Sequence, residues 1–237
     1  MEDSAPLLHK APFRKCGTMN MSKTLGYESP HSYLASQRPT LGLSQPCKLL
    51  GDVGEKYMLE EYPEGVRVIN QFLSEDECAH LIADGESRGF QEAEISTRMG
   101  PEMFKDVRNN GRVFFDDRAL AERLYEKIAP VVPEKLDGWS RYSLNERFRF
   151  YRYEKEQYFK WHRDGSFRRS FYEVSKYTFM VYLNEGFVGG ETQFETFSVV
   201  PKQGSALVFP HKLRHQGSAL KSGVKYVLRT DVMYDKL

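Results

Sequence analysis

Hydrophobic residues are unevenly spread along this chain. Residues 1 to about 56 carry Pro6, Pro12, Pro30, Pro39 and Pro46 and many Ser residues, with no sustained apolar period. Such a stretch buries too little apolar surface to offset the entropy of ordering it, and it reads as a flexible tail. Periodic patterns begin at Tyr57. Gly65-Val66-Arg67-Val68-Ile69 reads as a strand. Ser74 followed by Glu77 is a capping box, in which each side chain satisfies the other residue's backbone N–H. A helix is expected from there through Cys78, Leu81 and Ile82, ending between Gly85 and Gly89. A second is expected from about Asp117 to Ile128, with Leu120, Leu124 and Ile128 forming its apolar stripe and Pro130 stopping it. After Pro133 the pattern changes to short strands at 148–153, 177–183, 192–197, 205–209 and 225–234, punctuated by Gly189-Gly190, Pro201, Gly204, Pro210, Gly217 and Gly223. Two helices followed by such a run predict a mainly β fold with supporting helices: one domain over 57–237, with helical support at 74–131 and an antiparallel sandwich or barrel at 145–235.

Composition narrows the setting. A chain of 237 residues, 40% hydrophobic and 28% charged, is ordinary for a soluble globular protein. No stretch approaches the roughly 20 apolar residues a membrane span needs. Met1 to Leu8 begins acidic and lacks an apolar core, so it does not read as a secretory signal. The net charge of +1 gives no general reason to expect nucleic acid as a partner. Cys16, Cys47 and Cys78 are far apart, odd in number and form no CxxC pair. They read as reduced thiols of a cytoplasmic or nuclear protein.

The chemistry centres on Trp161-His162-Arg163-Asp164-Gly165. In extended chain, residues i and i+2 point to the same face, so His162 and Asp164 can address one point. A second His would complete two imidazoles and one carboxylate, the facial set of non-haem iron(II) oxygenases, with three positions left open. His-Arg-Asp is also written in kinase catalytic loops, but Arg169 stands where those need Asn, and no Gly-rich phosphate loop precedes it. Of the two later histidines, His211 and His215, the second opens a turn after the apolar run 205–209 and is the favoured ligand. Ten residues on comes Lys225, on a strand whose face it shares with Val227 and Arg229. A cation there can hold the far carboxylate of a dicarboxylate that chelates the metal at its other end.

Taken in order, these pieces resemble the prolyl 4-hydroxylase-like branch of the 2-oxoglutarate/iron(II) dioxygenases. The resemblance is carried by residues 152–159 leading into His162 and Asp164, then Tyr182-Leu183-Asn184, Gly189-Gly190-Glu191-Thr192-Gln193-Phe194, Pro201-Lys202-Gln203-Gly204, His215, Gly223 and Lys225. It covers about residues 66–235. It implies a double-stranded β-helix (jelly roll) core with the site at one mouth. It also implies iron(II) on His162, Asp164 and His215, with 2-oxoglutarate and O2 as co-substrates and ascorbate as a candidate reductant. By position, Lys225 matches the residue that binds the C5 carboxylate of 2-oxoglutarate. Tyr153 and Tyr182 match pocket positions. Arg229 departs from the pattern and, sharing the Lys225 face, competes for the same role. The substrate expected is a prolyl or other peptidyl residue, or a small molecule. Arg108, Asn109 and Arg112, between the two helices, fall where one lip of the substrate groove is built. The polar stretch 165–175 reads as a flap. The rival readings are a metal-dependent dioxygenase without 2-oxoglutarate, a degenerate jelly roll that only binds, and a nucleic-acid demethylase.

Overall fold

The computed structural model describes residues 48–50, 58–92, 95–97, 100–102 and 106–236. The flexible tail expected at 1–56 lies outside the described residues, apart from Lys48–Leu50, which pairs as a strand with Met58–Glu61. The elements that build the site are β1 (Met58–Glu61), β2 (Arg67–Asn70), α1 (Glu75–Arg88), β3 (Gly111–Asp116), α2 (Arg118–Ile128), β4 (Trp139–Leu144), β5 (Arg147–Tyr153) and β6 (Phe159–His162). They continue with β7 (Glu173–Tyr182), β8 (Thr192–Phe194), β9 (Ser198–Val199), β10 (Ala206–Pro210), β11 (His215–Gly217) and β12 (Lys225–Asp235).

Both helices form where the caps place them. Ser74 and Glu77 make the reciprocal capping box at the start of α1, and Gly89 closes it with φ 76°. Asp117 caps α2 by accepting from the Leu120 N–H at 2.8 Å. Leu120, Leu124 and Ile128 are buried, as their spacing predicts.

The strands form two sheets facing each other. The larger runs β1-β2-β10-β7-β12-β5-β3, with β4 paired to the far part of β12. The smaller runs β6-β11-β8-β9. Alternation decides what each face of the large sheet meets. Phe148, Phe150, Phe179, Val181 and Leu228 point to the helices and pack with Leu124 and Ile128 in one core. Tyr151, Tyr153, Met180, Tyr182 and Val227 point the other way, towards Phe194, Phe197 and Val199 of the small sheet and its turn. This is the mainly β, helix-buttressed fold that the pattern predicts, in the jelly-roll form that the resemblance implies. Among the described residues no helix is long and apolar enough to cross a membrane.

One expectation needs correction. The stretch 192–197 is not one strand. It turns back so that β8 pairs with β9, with the Phe194 N–H donating to the Phe197 carbonyl. No Gly or Pro marks that turn, so the apolar pattern ran straight through it. The polar stretch 165–175, expected as a flap, has a definite local form. It folds as a hairpin that leads into β7: Arg168 bridges Val174, and the Ser175 N–H donates to the Phe167 carbonyl at 2.8 Å.

One glycine locks the helix entry to the sheet. Gly204 has φ +71°, donates its N–H to the Tyr182 carbonyl and accepts from the Leu73 N–H. A Cβ there would lie 2.2 Å from the Leu73 carbonyl oxygen. Gly204→Ala is therefore expected to lose at least about 1–3 kcal/mol, the cost of a strained left-handed residue. A urea midpoint equal to that of the wild type would rule this account out.

Candidate active site

The two sheets bring the chemistry together through register. In the small sheet His162 at the end of β6 and His215 at the start of β11 are direct cross-strand partners. Their rings lie 4.3 Å apart between centroids. Each imidazole places Nδ1 against a backbone carbonyl two residues back, Lys160 at 2.7 Å for His162 and Leu213 at 3.1 Å for His215. An Nδ1–H that donates there leaves Nε2 as the free lone pair on both rings. The Phe159 ring stacks on His162 at 3.5 Å between centroids.

Asp164, two residues beyond β6, turns its carboxylate to the same point. Its Oδ1 is 3.5 Å from His162 Nε2 and its Oδ2 is 3.6 Å from His215 Nε2. One ligand atom from each of the three residues lies within 4.8 Å of the others. The set fits a divalent iron ion: two imidazoles whose Nδ1 atoms face backbone carbonyls and one carboxylate, converging in the mouth of a jelly roll. His215 is kept neutral, burial pushing its pKa down to about 4 against the pull of Asp164. For Asp164 burial alone would favour the acid, but the Arg229 guanidinium beside it holds it ionised, well below the usual carboxylate range.

The large sheet supplies the cavity wall. Tyr153 lies opposite Lys225, Tyr151 and Tyr182 lie opposite Val227, and Met180 lies opposite Arg229. All of these except Tyr182 line the same cavity as His162, Asp164 and His215. Tyr182 packs behind it, its hydroxyl 2.7 Å from that of the lining residue Thr192.

The two basic residues of β12 are in different situations. Lys225 is buried, with its ammonium facing the rings of Tyr153 and Tyr182 at 5.4 and 5.2 Å. Its hydrogen bond goes to the Gly190 carbonyl, and among the described residues it has no carboxylate at ion-pair distance. Burial drives its pKa down to about 7, with Glu191 pulling weakly the other way. Arg229 is already engaged, with Asp164 Oδ1 at 3.0 Å and Asp231 Oδ1 at 3.4 Å.

Of the groove-lip residues, Arg108 is buried with its guanidinium 4.4 Å over Tyr151 and 4.5 Å over Phe159. Asn109 accepts from the Tyr158 N–H at 2.8 Å. Arg112 lies on β3 over the Phe114 ring and is not among the cavity-lining residues. Other residues of the site carry no motif. Tyr151 reads as core packing in sequence. It in fact lines the cavity, and Arg229, Arg108 and Arg149 overcome its burial to bring the phenol down to about 8. Thr178 donates to Asp164 Oδ2 at 2.5 Å. The period of two on β7 (Thr178, Met180, Tyr182) is the signal that reaches it from Tyr182.

Residues 148–230 match the model of the 2OG-Fe(II) oxygenase superfamily. A comparison with curated protein sequences finds no significant match. Solved structures of similar fold include three of particular use. A viral collagen prolyl hydroxylase from Paramecium Bursaria Chlorella virus-1 is 23% identical, with 73% of this chain and 97% of that one covered and a TM-score of 0.50. A prolyl-4-hydroxylase from Pseudomonas putida is 18% identical, with 72% and 92% covered and a TM-score of 0.53. A prolyl hydroxylase from Trichoplax adhaerens, solved with a hypoxia inducible factor peptide fragment, is 14% identical, with 72% and 84% covered and a TM-score of 0.54. The matched segment contains all three converging metal-ligand candidates and Lys225. The superfamily match over residues 148–230 and the converging ligand set support an enzyme of the 2-oxoglutarate/iron(II) oxygenase class, and the chain shares the fold of the prolyl hydroxylases.

Proposed function

We propose that this enzyme hydroxylates a peptidyl residue, foremost a proline, with 2-oxoglutarate anchored on Lys225 and iron(II) held by His162, Asp164 and His215. The observation that carries the reading is Lys225: a buried cation with no carboxylate at ion-pair distance among the described residues, in the same cavity as the three ligands. A buried charge in that state calls for an anion of matching reach. Iron(II) bound there, with 2-oxoglutarate and O2, supplies the oxidising power to insert oxygen into a C–H bond while 2-oxoglutarate leaves as succinate and CO2.

This chain's residues do the rest. Lys225 binds the C5 carboxylate, Tyr153 lines its pocket, and Tyr182 packs behind it. Arg229, the alternative anchor, is spent on Asp164 and Asp231 and holds the ligand carboxylate instead. The Gly190 carbonyl aims the Lys225 ammonium, and a Cβ at Gly190 would approach Lys225 Cδ to 3.2 Å and Leu220 Cδ1 to 2.9 Å. Arg108 and Asn109 shape the lip on the substrate side, through Tyr151, Phe159 and the Tyr158 backbone. Peptide as the substrate class is supported by the Trichoplax structure, which holds a peptide on the same fold. The catalytic domain proposed is 57–237.

Three measurements test this. Iron(II) followed by 2-oxoglutarate, added without oxygen, is expected to give a weak visible charge-transfer band. The band should vanish in Asp164→Ala and need at least tenfold more 2-oxoglutarate in Lys225→Ala. A band weakened only in Arg229→Ala would move the anchor to Arg229. No band in iron-loaded wild type would favour a metalloenzyme without 2-oxoglutarate.

Lys225 also dictates a pH dependence. Before ligand binds, its ammonium loses its proton as pH rises through about 7, whereas a carboxylate ligand needs the charged form. Affinity for 2-oxoglutarate is therefore expected to be full below pH 7 and to weaken by up to about tenfold per pH unit above it, with a proton taken up on binding. Lys225→Arg should flatten that slope, and a flat wild-type profile from pH 6 to 9 would remove Lys225 from the role.

For the substrate, proline-containing peptides incubated with the complete mixture should gain one oxygen atom by mass spectrometry, one succinate forming per hydroxylation. Succinate release unaffected by any peptide would point to a small molecule.

A further inference from the structure

Behind the ligand set lies a buried polar cluster that no part of the reaction uses directly. Ser175, Thr178, His211 and Asp231 are all buried. His211 sits between two hydroxyls: its Nδ1 is 2.9 Å from Thr178 Oγ1 and its Nε2 is 2.8 Å from Ser175 Oγ. Thr178 Oγ1 is in turn 2.5 Å from Asp164 Oδ2.

Counting protons fixes the direction of this chain. A hydroxyl has a single proton, and an ionised carboxylate only accepts. At 2.5 Å the proton between Thr178 and Asp164 must come from Thr178. Thr178 Oγ1 then has only lone pairs to offer His211, so His211 carries its proton on Nδ1 and donates it. His211 Nε2 is left as an acceptor for the Ser175 hydroxyl. Ser175 Oγ itself accepts from the Phe167 N–H at 2.8 Å. Every donor from the hairpin backbone to the metal carboxylate is thereby matched to one acceptor. The opposite tautomer would set the Thr178 and Asp164 oxygens against each other with no proton between them. On the other side of the carboxylate, Arg229 holds Oδ1 at 3.0 Å.

We propose that His211 and Thr178 are positioning residues for Asp164, a directed hydrogen-bond chain from Ser175 through His211 and Thr178 that holds Oδ2 and so sets the plane of the carboxylate presented to the metal. This rests on His162, Asp164 and His215 being the ligands. His211 is not itself a ligand in this arrangement, because both its ring nitrogens are committed to hydroxyls.

The test uses cobalt(II) as a spectroscopic probe in the full chain, with affinity read from its visible d–d bands and 2-oxoglutarate turnover measured separately on iron(II). Thr178→Val, nearly isosteric, is expected to weaken cobalt(II) binding by about 10- to 100-fold, the usual effect of losing a partner of a metal ligand, and to shift the bands. Thr178→Ser keeps the hydroxyl and should stay within about twofold of wild type. His211→Leu should weaken binding in the same sense. His211→Asn, which packs worse than Leu but keeps a donor at the Nδ1 position, should recover most of the affinity, an order that loss of packing alone cannot produce. Because His211 acts through Thr178, the Thr178→Val/His211→Leu pair should bind no more weakly than Thr178→Val alone. Wild-type affinity and bands in Thr178→Val would overturn the proposal, as would additive losses in the pair. If His211→Leu fails to fold, the Thr178→Val and His211→Asn results still decide. A wild type that ignores cobalt(II), or an Asp164→Ala variant that binds it normally, would instead remove the ligand assignment beneath it.

Discussion

A carboxylate whose side chain is only 5% exposed stays ionised only where donors replace the water it has lost. Asp164 meets that condition with Arg229 on one oxygen and Thr178 on the other. Both donors come from the inward face of the large sheet, where strand register sets Met180 opposite Arg229 and Thr178 opposite Asp231. Arg229 is steadied by Asp231, and Asp231 is paired with Arg149 at 3.0 Å. The charges thus alternate in sign through the core, and the chain of pairs ends at the metal ligand. If this row slipped by one residue, each of these groups would point into the helix-facing core instead.

The imidazoles obey a simpler rule. His162 and His215 need no network, because strand pairing puts them side by side and their own backbones set their tautomers. That is why the ligand histidines are legible from spacing while their surroundings are not. The same contrast runs through the whole molecule. Caps at Ser74 and Asp117, the apolar stripe of α2 and the alternation of β5 and β12 are local, and local rules recover them. The turn between β8 and β9 is closed by backbone bonds among residues with no turn preference, so it left no mark in the sequence. Thr178 and His211 are 33 residues apart in sequence and meet only once β7 and β10 pair. Tyr151 looked like packing because an aromatic on a strand has the same pattern whichever cavity it faces. The order of Lys225 and Arg229 on one face was visible, but which of them was free depended on where Asp164 and Asp231 came to rest.

The division of labour between the sheets has a mechanical side. The small sheet owns both histidines, whereas the carboxylate, though it follows β6 in the chain, is gripped by side chains of the large sheet. An ion held by all three would therefore be a cross-link between two layers that also meet through apolar packing and the Tyr182–Thr192 hydroxyl contact. It does the work of a disulfide without a cysteine, and it comes apart whenever the metal leaves. Metal supply would then add to the stiffness with which the mouth receives its substrate.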